Sequence, residues 1–179
     1  PEVASYRPLA RRMRPRSLGE FAGQEHLLGE GKLLRRMIES GAISSLIFTG
    51  PPGTGKSTVA GIIAARAGAD CGSGMAALSG GKELTDLLGP IRSLNRGRGR
   101  RTLLLVDEVH RYNRLVQDLL LPDVEDGAVI FVGVTSHNPY VSLTPALVSR
   151  SQVFEFKPLS PAEVEAILRR ALADPERGL

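Results

Sequence analysis

The octapeptide Gly50-Pro51-Pro52-Gly53-Thr54-Gly55-Lys56-Ser57 constrains this chain more than any other stretch. It follows a short apolar run, Ser45–Thr49, and opens a helical pattern over 56–67. It fits G-x-x-x-x-G-K-[ST] in the required context, a strand before and a helix after. The glycines let backbone N–H groups wrap an anion closely. The helix that follows aims its positive dipole end at the same anion. Lys56 is then expected to reach the β- and γ-phosphates of a nucleotide, and the Ser57 hydroxyl to ligate Mg²⁺. The plain alternative is a glycine-rich turn before a helix.

A second run, Leu103-Leu104-Leu105-Val106-Asp107-Glu108, completes the motif. A buried strand there delivers two carboxylates to the C-terminal edge of a sheet, where ligands of open α/β sheets bind. Asp107 is expected to hold Mg²⁺ through water. Glu108 is expected to polarise the attacking water as general base. The Asp-Glu pair argues for a hydrolase and against a small-molecule kinase.

The remaining pattern alternates in the same way. Helices are expected over 32–40, 82–95, 114–121 and from Pro161 to about Ala173, the last opened by a capping box, Ser160-Pro161-Ala162-Glu163. Gly89–Pro90 should break or kink the second of these. Strands are expected over Thr102–Val106, Ala128–Val134 and Gln152–Phe156, with a further one hidden near Met75–Leu78. Strands separated by helices imply βαβ units, an α/β class and a parallel sheet. A length of 179 residues suggests one domain, or one plus part of a second, and 42% hydrophobic residues suffice for a core.

Several classes are excluded. The single cysteine, Cys71, rules out an intramolecular disulfide framework, and histidines at 26, 110 and 137 are too scattered for structural zinc. No apolar run nears the ~18 residues of a membrane span. Pro1 to Arg16 is basic without an apolar centre, so it is not a secretory signal. A reducing, intracellular setting is the default expectation. Of 23 basic residues only four are lysine, and the arginines cluster at 7, 11, 12, 14 and 16 and again at 92, 96, 98, 100 and 101. Arginine forks suit phosphate, but a solvated surface explains each cluster equally simply. With five Phe, three Tyr and no Trp, base stacking is not an obvious mode of binding.

Longer blocks resemble the AAA+ ATPases, specifically the replication-associated recombination protein A family, whose eukaryotic relative is the Werner helicase-interacting protein. Pro8-Leu9-Ala10, Met13-Arg14-Pro15 and Phe21-Ala22-Gly23-Gln24-Glu25-His26-Leu27 are similar to its N-terminal signature. Asp107-Glu108-Val109-His110-Arg111-Tyr112-Asn113 is similar to its D-E-[IV]-H-R-[FY]-N box, continued by Gln117-Asp118 and Leu121-Pro122 with Glu125-Asp126-Gly127. Thr135-Ser136-His137-Asn138-Pro139 resembles its T-T-E-N-P, and Leu147-Val148-Ser149-Arg150 its L-L-S-R.

The resemblance implies a three-layer αβα domain over 1–156 with strand order 5-1-4-3-2, and a helical lid beginning at 157. It implies ATP and Mg²⁺ as ligands, held by Gly50 through Ser57 and Thr58. Gly23 and Gln24 would then lie against the adenine. Thr135, Ser136 or Asn138 would act as sensor 1, and Arg150 as an arginine finger for a neighbouring subunit. By itself Arg150 reads equally as a surface residue at a helix end. Implied partners are DNA forks, gaps or ends, single-strand-binding protein and copies of itself, in the cytoplasm with the nucleoid. The implied function is ATP hydrolysis coupled to DNA at stalled or damaged forks. The rivals are a clamp-loader subunit or a branch-migration motor, and a nucleotide-gated scaffold with little turnover.

Departures from the family pattern also raise expectations. Ser57-Thr58 replaces the commoner Thr-Thr, Leu78 replaces a hydroxyl, and Cys71-Gly72-Ser73-Gly74 replaces a strand start. His137 stands where an acid is usual, and is expected as an exposed loop residue. Lys82 is expected as a solvated lysine, although it could face DNA. Cys71 reads as a small buried apolar residue. His110 reads either as a nucleotide or neighbour contact or as a structural hydrogen-bonding residue. The family pattern continues past Leu179 into the rest of the lid and a tetramerisation domain, so a fragment of a longer protein is expected.

Overall fold

The computed structural model describes residues 7–66, 73–76, 84–86, 88–90 and 102–178. Cys71, Leu78, Lys82 and the second arginine cluster lie outside the described residues. Five strands form one parallel sheet: β1 (Leu46–Thr49), β2 (Ser73–Ala76), β3 (Thr102–Val106), β4 (Val129–Thr135) and β5 (Gln152–Glu155). Their order across the sheet is β5-β1-β4-β3-β2.

Strands β1, β3 and β4 are almost wholly apolar because both faces of the sheet are covered. Successive side chains point to opposite faces, which sorts the core into two clusters. Leu46, Phe48, Leu103, Leu105, Val132 and Val134 pack on one face against Leu34 and Ile38 of α3 (Leu33–Ser40) and Val59 and Ile63 of α4 (Lys56–Arg66). Ile47, Leu104, Val106, Val129 and Phe131 pack on the other against Leu84, Leu88, Leu120, Leu143 and Leu147. Each fully buried Leu, Ile or Phe is worth about 1.5–3 kcal/mol over its exposed state. The two clusters therefore fix a three-layer αβα stack around the sheet.

Short helices complete the layers. They are α1 (Leu9–Arg12), α2 (Glu25–Leu28), α5 (Arg114–Asp118), α6 (Leu121–Glu125), α7 (Pro139–Ser142) and α8 (Pro145–Ser149). The last element is α9 (Pro161–Ala173), and its capping box is present in full: Ser160 Oγ accepts from Glu163 N at 3.3 Å and Ser160 N donates to Glu163 Oε2 at 2.6 Å. Gly41, in the left-handed region at φ 72°, ends α3 as its sequence predicts.

Three expectations need correction. The segment 114–121 is two helices, because Pro122 begins a new turn at the second position of α6. Residues 84–86 and 88–90 are helical, and the rest of the expected 82–95 helix lies outside the described residues. The hidden strand is Ser73–Ala76, two residues earlier than read. Strand β4 runs one residue further than read, to Thr135. That last shift matters, since Thr49 of β1 pairs with Thr135 and Val106 of β3 pairs with Gly133. The loop after β1, the carboxylates after β3 and the polar turn after β4 therefore emerge together at one edge of the sheet.

Candidate active site

The glycine loop joins β1 directly to α4, and its shape depends on missing side chains. Gly50 has φ 133°, and a Cβ there would strike the Phe156 carbonyl. Gly55 has φ 94°, and a Cβ there would strike the Phe21 ring. Both positions combine a left-handed backbone with close approach, which only glycine tolerates. Phe21 thus packs from the N-terminal segment onto the loop.

Lys56 is buried, and its Nζ donates to the Gly50 and Pro51 carbonyls, each at 2.6 Å. Burial pushes this ammonium below the usual lysine range, against the opposing pull of Glu108 and Asp107. Ser57 Oγ donates to Asp107 Oδ2 at 3.2 Å, so the two residues read as metal ligands already meet. A hydroxyl and a carboxylate are hard oxygen donors, which suits Mg²⁺. Among the described residues no group of three or more His, Cys, Asp or Glu could hold a metal by itself. The donor set therefore fits an ion completed by phosphate oxygens and water, the usual arrangement for Mg²⁺ beside a nucleotide.

Glu108 occupies the left-handed region at φ 50°, uncommon for a non-glycine residue. Its amide donates to Asp107 Oδ1 at 3.0 Å. Its Oε2 lies 3.3 Å from Ser136 Oγ and 3.2 Å from His110 Nε2. Of the three sensor-1 candidates, only Ser136 meets Glu108. Thr135 is fully buried, and its Oγ1 lies 2.8 Å from His110 Nδ1. Asn138 caps α7, accepting from Tyr140 N at 3.0 Å. His137 is exposed as expected, yet its ring lies 3.9 Å from that of His110.

The N-terminal signature forms a second wall. A cavity of about 290 Å³ opens beside the loop, lined by Met13, Phe21, Ala22, Thr58, Leu159 and Ile167 among others. Gly23 and Gln24 stand behind this lining rather than in it. Gln24, buried and itself left-handed at φ 59°, clamps the backbone of Lys157: Nε2 donates to its carbonyl at 2.6 Å and Oε1 accepts from its amide at 2.9 Å. Gly23, at φ 81°, is tucked under Leu159 and Glu163. Arg170 of α9 reaches back to the Glu20 and Met13 carbonyls. These contacts seat α9 over the cavity.

Arg150 follows α8, exposed, and pairs with Glu125 at 2.5 Å. Its other bonds go to the Ala146 carbonyl and Ser149 Oγ, and none goes to the glycine loop. The loop, Lys56, Ser57, Asp107, Glu108 and Ser136 therefore come together, whereas Arg150 belongs to a different surface. Sequence reading missed Phe21 under the loop, Arg170 over the cavity and the partners of His110. Except for Glu108, two residues before His110, these contacts join segments far apart in the chain, for which local spacing carries no signal.

Comparison with known proteins gives the same fold. Residues 13–147 match the family described as the Holliday junction DNA helicase RuvB P-loop domain. The chain is 51% identical over 172 residues to the replication-associated recombination protein A of Haemophilus influenzae, covering 96% of this chain and 38% of that protein. It is 38% identical over 168 residues to the ATPase WRNIP1 of Dictyostelium discoideum, covering 94% of this chain and 19% of that protein. A solved variant of Thermotoga maritima RuvB superposes with a TM-score of 0.70 at 27% identity, over 90% of this chain and 54% of that one. The chain thus spans well under half the length of these curated relatives.

Proposed function

The chain belongs to the AAA+ ATPase family described as the Holliday junction DNA helicase RuvB P-loop domain, and on that premise we propose that it is the ATP-binding and ATP-hydrolysing core of a DNA-dependent ATPase acting at stalled or damaged replication forks. The observation that carries this reading is the 3.2 Å contact of Ser57 with Asp107 beside the buried Lys56. Loop and strand thereby bring together a buried cation, two oxygens that would hold a metal and the Glu108 carboxylate at one edge of the sheet.

The roles follow from chemistry. Lys56 exchanges its loop carbonyls for the β- and γ-phosphates. Ser57 and Asp107 would hold Mg²⁺, which neutralises phosphate charge when bound. Glu108 takes a proton from the attacking water as the bond between the γ-phosphorus and the leaving oxygen of ADP breaks. Ser136, with its hydroxyl beside Glu108, is the best placed of the sensor-1 candidates to meet a γ-phosphate. Adenine would enter the cavity between Met13, Phe21 and Leu159. Arg150 would serve a neighbouring copy, stabilising charge in its transition state.

The relative named replication-associated recombination protein A supports a role in replication and recombination; the fork reading adds as partners DNA forks, gaps or ends, single-strand-binding protein and further copies of the chain, in the cytoplasm with the nucleoid. Among the described residues no helix is long and apolar enough to cross a membrane. A branch-migration motor is the second reading, favoured by the RuvB superposition. Identity of 51% against 27% ranks it second.

Steady-state ATP hydrolysis by the full-length protein, measured against protein concentration with and without forked DNA, tests the proposal. A rate per subunit that rises with concentration and again with forks supports it. A rate stimulated only by four-way junctions supports the second reading. A flat, near-zero rate with intact ATP binding indicates a nucleotide-gated scaffold.

A further inference from the structure

Around Glu108 lies a hydrogen-bonded chain that the hydrolytic roles above do not use. His110 sits in the 3₁₀ turn Val109–Arg111 directly after the acidic pair, its side chain largely buried. One ring nitrogen, Nδ1, faces Thr135 Oγ1 at 2.8 Å, and the other, Nε2, faces Glu108 Oε2 at 3.2 Å. The Thr135 hydroxyl also accepts from the His137 amide at 3.0 Å. Nε2 faces a carboxylate, which only accepts, so the ring proton sits on Nε2. Nδ1 of the uncharged ring is then an acceptor for the Thr135 hydroxyl at 2.8 Å. Burial, first among the influences on this ring, also favours its uncharged form. Ser136 donates to the same Glu108 oxygen, and the His137 ring covers that of His110.

We infer that His110 is a positioning residue for Glu108, carrying a hydrogen bond from the Thr135 hydroxyl at the end of β4 to the carboxylate that takes the proton from water. The inference rests on the assignment of Glu108 as general base. Thr135 is fixed by strand pairing with Thr49, so it is a rigid anchor. Glu108 lies just past β3, outside the strand pairing that holds Thr135. The imidazole bridges the two. A ring that anchors a base without touching substrate should affect turnover and leave nucleotide affinity alone.

The test uses the full-length protein with four variants: His110→Ala, His110→Gln, Thr135→Val and Glu108→Gln. Binding of a fluorescent ATP analogue and steady-state kcat and KM for ATP are measured for each, with thermal unfolding alongside. Loss of the anchor misplaces a reacting group, which is expected to lower kcat about tenfold to a hundredfold. In His110→Ala, KM and analogue affinity should stay at the parent value. His110→Gln, which keeps an N–H donor, should recover most of the loss. Thr135→Val should lower kcat, and add little when combined with His110→Ala, because both break one chain. If kcat is unchanged in His110→Ala, or if affinity and Tm fall with kcat and glutamine does not rescue, the inference is overturned. Glu108→Gln separates the two levels. If it leaves hydrolysis intact, the general-base assignment fails, whereas a dead Glu108→Gln beside a fully active His110→Ala refutes only the positioning role.

Discussion

Arg150 and Glu125 form an ion pair of 2.5 Å within one chain, tying the residue after α8 to the end of α6. Both side chains are more than two-fifths exposed, and exposed pairs of this kind are worth about 0–1 kcal/mol. A neighbour's nucleotide could therefore draw Arg150 away at little cost. Arg150→Ala should leave Tm nearly unchanged yet cut hydrolysis by the full-length protein by about 10³-fold, the scale of a finger supplied in trans. Mixing it with Glu108→Gln should restore part of the activity, because each variant lacks what the other supplies. Glu125→Gln should change the rate by no more than about fivefold, the equivalent of an exposed pair. Equal inactivity of the mixture and of each variant alone would refute the assignment in trans.

Lys56→Ala and Ser57→Ala should separate nucleotide from metal. Lys56 is the buried cation of the loop, so its removal should abolish the rise in Tm that ATP gives a protein that binds it. The Ser57 hydroxyl bonds Asp107, which lies just past β3. Ser57→Ala should keep the ATP-induced shift in EDTA and lose the additional shift that Mg²⁺ brings. Differential scanning fluorimetry with ATP, ATP plus Mg²⁺ and EDTA reads all three states. A metal-dependent shift that survives in Ser57→Ala would sink the ligand assignment.

Gln24 ties the N-terminal segment to the junction of β5 and α9 by two bonds to Lys157. Gln24→Ala would leave the Lys157 amide and carbonyl without their partner, at a cost of about 1–3 kcal/mol for each that stays buried. A fall in urea midpoint, together with weaker ATP binding as α9 loosens over the cavity, is the expected pair of effects. Weaker binding at unchanged stability would instead make Gln24 a direct contact of the base.

How far the sequence was legible follows from where the information lies. The glycine loop, β1, β3 and α9 with its capping box were readable because their chemistry is local: a glycine pattern, apolar runs and a Ser-Pro-x-Glu start. Helices of four or five residues, such as α1, α2 and α7, span about one turn, too short for a 3.6-residue period to register. The split between α5 and α6 has a local sign in Pro122, which sits in the first turn of α6. The two candidate metal ligands were placed by motif. The contacts of Ser136 with Glu108 and of Thr135 with His110 were not, since they form only when β3 and β4 pair. His137 shows the same limit: its exposure was foreseen, its tilted contact with the His110 ring was not.

The buried ring of His110 also predicts how stability depends on pH. Burial first, then the nearby His137 and Arg111, hold it below the ordinary histidine value of 6.5, against the opposite pull of Glu108. Below that value the unfolded chain takes up a proton that the folded protein resists. Stability rises with pH wherever the unfolded state binds more protons. The contribution of His110 is therefore complete above pH 6.5 and declines as pH falls from there towards its lowered folded value. The shifted carboxylates do not confuse this window. Glu20, held low chiefly by Arg177, and Asp174, held low by the Arg177 amide, lose their stabilising effect only as pH falls below their ordinary values of 4.5 and 3.8. Urea midpoints measured from roughly pH 7.5 to 5.5 should fall in the parent protein and fall less in His110→Gln, which has no group to protonate. Equal slopes in the two proteins would mean that the ring is free to charge in the folded state, and that burial does not hold it in its uncharged form.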